Sequence, residues 1–255
     1  MRYAELVIRW IHILAGVMWI GHLWFFNFVN ANFAPTMDAE AKKKVVPQLM
    51  PRALYWFRWG AAWTWGTGLL LLFMVYYNNR WGNLLEGQQQ VTAMSWLPAF
   101  VGLLVGFALY DLLFKALAKQ HNVAVVLWGL AAVVYGAVLI EVSHFSQRAA
   151  YIHVGALFGT TMAANVWMRI WPAQKRIITA VKEGRTPEAA DPAVAGLRSK
   201  HNTYMSVPLL LCMLLPDQVG IVAGLSFYAV MPGILVVAFG ATWWVYGKAK
   251  TVPGF

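Results

Sequence analysis

Long apolar stretches, each near the length that spans a bilayer, dominate this 255-residue sequence. A hydrocarbon core about 30 Å thick needs about 20 helical residues to cross it. Runs of that size fall at 5–29, 54–77, 96–118, 123–142, 149–171, 203–225 and 228–246. Hydrophobic residues make up 60% of the chain and charged residues 12%, about half the charge of an ordinary soluble domain. One globular core could not hide that much apolar side chain, so lipid is the expected solvent. The expected fold is an all-α integral membrane protein, a bundle of about seven transmembrane helices forming a single domain over 1–255. The one long polar stretch, 172–200, is read as a loop holding a short amphipathic helix near 173–183.

Charge orients the bundle. The segments after the first, third and fifth runs, and the C-terminus, carry Lys42, Lys43, Lys44, Arg52, Lys115, Lys119, Lys175, Arg176, Lys182, Arg185, Arg198, Lys200, Lys248 and Lys250. The opposite side carries Arg2, Arg9, Arg80 and Arg148. Cationic loops stay inside, which predicts the N-terminus outside and the C-terminus inside. The same rule accounts for the net charge of +10. No recognition motif accompanies the charge, so nucleic acid is not an expected partner. The 14 Trp and 10 Tyr suit rings that anchor at both interfaces. The first run lacks the order of a cleaved leader and is read as retained. The one cysteine, Cys212, sits in an apolar run, which excludes an intrachain disulfide, and no Cys-x-x-Cys-His segment is present for covalent haem.

An ionisable residue within a spanning helix is a functional candidate by default. At 1.5 Å per residue, His12 lies roughly 10 Å and His153 roughly 7 Å below the outer surface. Arg9 and Arg148 each stand about one turn nearer that surface. Two level imidazoles below two guanidiniums suit a b-type haem, with iron held by His12 and His153 and propionates paired with Arg9 and Arg148. The competing reading is that both are helix-packing histidines. His144, at the outer end of the fourth run, is a substitute ligand, a quinone or substrate contact, or an interfacial side chain. Glu141, one turn before it, could orient a histidine Nδ1. His22 and His201 are weaker candidates for a second haem. Asp111 is expected to pair with Arg58, and the run Tyr55 to Trp65 to form an interfacial belt or the wall of a macrocycle.

Several segments carry a family resemblance. Gln147-Arg148-Ala149-Ala150-Tyr151-Ile152-His153-Val154-Gly155-Ala156, with Gly159-Thr160 and Met162 to Val166, resembles the fifth helix of the membrane domain of bacterial cytochrome-linked urate oxidases. Arg198-Ser199-Lys200-His201-Asn202-Thr203-Tyr204 with Pro208 is similar to the start of its next helix. Arg9-Trp10-Ile11-His12 with Trp19-Ile20-Gly21, and Trp56-Phe57-Arg58-Trp59 with Trp63-Thr64-Trp65, are similar to its first two. The resemblance implies a multi-pass protein of the bacterial inner membrane, a haem oxidoreductase whose full-length members carry a fused cytochrome c, a module not found in these 255 residues. Tyr55 stands where such proteins carry a histidine, and His22 is an addition.

Three functions follow as expectations. The first is a haem b oxidoreductase or electron-transfer protein between a small reductant, urate among them, and a periplasmic c-type cytochrome. The alternative is a non-catalytic haem-binding or anchoring subunit of a larger respiratory complex. A cofactor-free transporter ranks last, because the histidines lie off-centre. No catalytic residue is assigned.

Overall fold

The computed structural model describes residues 2–78, 81–87, 90–218 and 224–253. Seven long helices appear among them: α1 (Arg2–Trp24), α2 (Ala39–Leu72), α3 (Leu97–Ala116), α4 (His121–Glu141), α5 (Gln147–Asn165), α7 (Ala190–Leu214) and α8 (Phe227–Ala249), with the shorter α6 (Trp171–Lys182) following α5. No strand occurs among the described residues; one isolated antiparallel bridge joins Leu85 to Phe145. Arg80 and the end of the expected 203–225 helix lie outside the described residues.

Each expected run sits on a long helix, with two corrections of length. Residues 39–53, expected as loop, form the start of α2. Asp38 caps it, its Oδ1 accepting from Ala41 N at 2.7 Å, and Lys44 pairs with Glu40 one turn back at 2.6 Å. Side-chain capping and an i,i+4 ion pair favour a helix start that hydropathy alone does not reveal. Pro47 and Pro51 are accommodated within the helix. Likewise α7 begins at Ala190, well before the apolar run. The amphipathic helix forms as expected, over Trp171–Lys182.

Three helices continue into π-helical turns: Phe25–Asn30 after α1, Phe73–Tyr77 after α2 and Val166–Ile170 after α5. A π turn holds an extra residue and re-aims the side chains beyond it. Asn27 and Tyr77, both buried, sit on two of these turns.

Among the described residues, four stretches are long and apolar enough to cross a membrane: Tyr3–Thr36, Leu97–Ala116, His121–Glu141 and Phe227–Ala249. Their outward faces are apolar, with Leu104 80% and Val236 73% exposed. Patches of that kind are rare on proteins that face water. The helix α5 differs in burying several polar side chains: Tyr151, His153 and Thr161 are fully buried.

The chain divides into two compact units, and α2, α5, α7 and α8 contribute residues to both. The first comprises Met1–Gly68, Met162–Ser206 and Gly240–Phe255. There α1 and α2 approach closely: a Cβ on Gly60 would stand 3.1 Å from Trp19 N and 3.3 Å from Ala15 O. Phe26 meets Phe57 edge-on at 5.5 Å beside that contact. The second unit comprises Leu69–Thr161 and Val207–Phe239. Its helices also pack through small residues. The Tyr135 ring lies over Gly102, where a Cβ would come within 2.1 Å of it. Such close approach is a common way for helices to associate in lipid, where packing replaces the hydrophobic effect.

Candidate functional site

In the second unit, His153 of α5 is fully buried. Its Nδ1 lies 2.7 Å from the carbonyl of Ala149, one turn back. A carbonyl only accepts, so Nδ1 carries the proton and donates it. Nε2 therefore keeps its lone pair, and it accepts from the Tyr77 hydroxyl at 2.7 Å. Rings enclose the imidazole: Phe145 at 4.9 Å, Tyr77 at 5.8 Å and Tyr76 at 6.0 Å, each near edge-on. The link 142–146 builds one wall. His144 takes φ 55°, a left-handed conformation costly for a residue with a Cβ. Its carbonyl accepts from Glu86 N at 2.9 Å and Ser146 N donates to Leu84 O at 2.8 Å. Those bonds hold Phe145 under the histidine. The His144 side chain itself is exposed, as is Glu141, whose carboxylate accepts from Tyr228 OH rather than from a histidine. Arg148, one turn and a residue before His153 on α5, is half-buried.

In the first unit, His12 of α1 is half-buried, its Nδ1 3.1 Å from Thr67 Oγ1. Thr67 spends its own hydrogen on the Trp63 carbonyl at 2.6 Å. The His12 Nδ1–H is therefore the donor, and again Nε2 keeps a lone pair. Gly68 makes room for the ring: a Cβ there would stand 3.1 Å from His12 Cε1. Arg9 is engaged by Glu5, Nη2 to Oε1 at 3.1 Å. His22 repeats the pattern, its Nδ1 donating to Met18 O at 2.7 Å. His201 is buried on α7. Asp111 does not pair with Arg58 as expected. It binds Lys115 at 2.7 Å on its own helix, while the Arg58 guanidinium lies 3.9 Å from the centre of the Trp171 ring.

A polar cluster in the first unit went unread in the sequence. Asn202 of α7, fully buried, donates to Met162 O at 2.9 Å and accepts from Asn165 Nδ2 at 2.9 Å. Asn27 donates to Ser199 Oγ at 2.8 Å and accepts from Tyr246 OH at 2.9 Å. Trp24 Nε1 donates to Ser206 Oγ at 3.0 Å. Arg198 and His201 are buried on the same helix. Their residue types were visible in the segment Arg198 to Tyr204, but the depth of burial and the partners were not.

The family described as urate oxidase N-terminal matches residues 37–250. The chain belongs to this family. No curated protein and no solved structure matches it. Membership in the urate oxidase N-terminal family covers His144, His153, His201 and the α7 polar cluster, whereas Arg9, His12, His22 and Asn27 precede the matched span.

The resemblance to cytochrome-linked members raises haem, and the donor chemistry of His153 and His12 bears on it. An imidazole that ligates iron offers Nε2 while its Nδ1–H is held by an acceptor. His153 and His12 each have that tautomer. The fit at His153 includes one further requirement, that the Tyr77 hydroxyl give up the Nε2 lone pair. Among the described residues no group of three His, Cys, Asp or Glu side chains converges. A directly chelated ion would call for such a group, whereas a macrocycle supplies four donors of its own.

Proposed function

We propose that this chain is a haem b oxidoreductase of the bacterial inner membrane, crossing it seven times, that moves electrons from a small reductant of the urate class to a periplasmic c-type cytochrome. The observation that carries the reading is the state of His153, a fully buried imidazole with Nδ1 donating to Ala149 O and Nε2 aimed at a partner 2.7 Å away. Buried polar groups in a membrane domain are costly and mark function by default. Haem, when bound, supplies one-electron chemistry whose potential follows its ligands and their burial.

The chain's own residues would act around it. In the second unit His153 would offer Nε2 to it, and in the first unit His12 has the same tautomer. The Ala149 carbonyl fixes the His153 ring and its tautomer. Phe145 and Tyr76 keep water off it. Arg148, on the same helix and half-buried, would be the partner for a propionate.

Visible spectroscopy of the purified full chain tests the reading. Addition of urate is expected to produce reduced b-type bands, followed by reduction of added c-type cytochrome. Bands that appear with dithionite but never with urate would favour the anchoring or relay subunit over the enzyme. Absence of bands under both would remove the haem assignment.

A further inference from the structure

The first unit contains a cavity of about 480 Å³ between α6 and the start of α7, apart from either histidine. Pro172, Lys175, Arg176, Thr179 and Ala180 line it from α6. Their spacing of three and four residues puts them on one face of the helix. Arg185, Glu188 and Asp191 close it from the other side. The turn between the two sides is made at Gly184, with φ +73°.

Charge is arranged unevenly around this space. The helix α6 carries Lys175, Arg176 and Lys182 and no acid. Arg176 is fixed by the buried Asp191, Nε lying 2.9 and 3.0 Å from its two carboxylate oxygens. That carboxylate, with Glu188 adding its field, holds the guanidinium pKa above its usual value. Arg176 thus acts as a rigid wall whose Nη1 edge is unspent. Among the described residues, Lys175 and the Thr179 hydroxyl have no side-chain partner, and the Arg185 guanidinium pairs with the exposed Glu183. An ammonium, a guanidinium edge and a hydroxyl converging on one space form a donor set for phosphate oxygens.

The position of the cavity indicates where such a group would come from. Directly before Pro172 lies a belt of rings, with Trp171 under Arg58, Trp167 and Trp59 at 5.6 Å, and Tyr55 and Trp56 exposed. Aromatic belts sit at the level of lipid headgroups. Basic amphipathic helices at that level recognise anionic lipids.

We propose that this cavity is a binding site for a phosphate group, presented by a membrane lipid headgroup, with Lys175, Thr179 and Arg185 as donors and the Asp191-fixed Arg176 as its wall. The test uses the full chain purified in detergent, with phosphatidylglycerol, phosphatidylcholine or inorganic phosphate as probe. Bound lipid is read by native mass spectrometry and stabilisation by thermal unfolding. Two variants are compared, the site pair K175Q/R185Q and the control pair K248Q/K250Q, which removes the same charge elsewhere. Wild type and control are expected to retain phosphatidylglycerol over phosphatidylcholine, and the site pair to lose roughly tenfold or more of that retention. Stabilisation by inorganic phosphate alone, lost in the site pair, would support the phosphate site with a soluble source. Equal lipid retention in both variants with no effect of phosphate would overturn it.

Discussion

A histidine has two ring nitrogens and one proton to share between them when neutral, so whatever holds Nδ1 decides what Nε2 can do. At His153 a backbone carbonyl fixes that choice, and at His12 a threonine that has already spent its hydrogen does the same. The Tyr77→Phe variant separates the two roles open to His153. If the ring is a packing residue, losing the phenol leaves a buried acceptor unmatched and costs about 1–3 kcal/mol. If it is an iron ligand, the substitution clears Nε2, and haem content is expected to hold or rise. Thermal unfolding with parallel haem quantitation measures both. His12 and His153 were legible in the sequence because an ionisable group in an apolar run stands out. Their partners were not, since Thr67 is 55 residues from His12 and Tyr77 is 76 from His153, and spacing along the chain carries no information about such contacts.

At the level of helices, hydropathy located the seven long segments but misplaced the starts of α2 and α7. The start of α2 is stabilised by Asp38 and by the pair Glu40–Lys44, and Asp191 in the first turn of α7 accepts from Arg176, local polar interactions that an apolar count overlooks. The π turns were illegible for a different reason: an inserted residue changes which side chains face inward without changing composition. The largest omission was the polar stripe of α7, whose asparagine, Asn202, reads as an ordinary helix residue until its burial is known. Asn165 and Asn202 join α5 to α7 through one side-chain hydrogen bond. A double-mutant cycle with Asn165→Ala and Asn202→Ala is expected to give a coupling of roughly 0.5–2 kcal/mol. A coupling near zero in thermal unfolding would mean that the two amides act independently.

For the whole molecule, membrane residence rests on four helices apolar enough to cross and on faces such as that of α8, where Val236 and Val237 are 73% and 72% exposed. Family membership over residues 37–250 ties the chain to urate-oxidase relatives. The redox account depends on a pigment held by the imidazoles, so the most direct measurement is pyridine-haemochrome quantitation on the full chain and on His12→Ala and His153→Ala. The account predicts haem b at near one equivalent per chain in the wild type, with loss of most of it in His153→Ala under conditions where the variant remains folded. Purified wild-type chain with no haem b, or a folded His153→Ala variant with undiminished haem b, would contradict it.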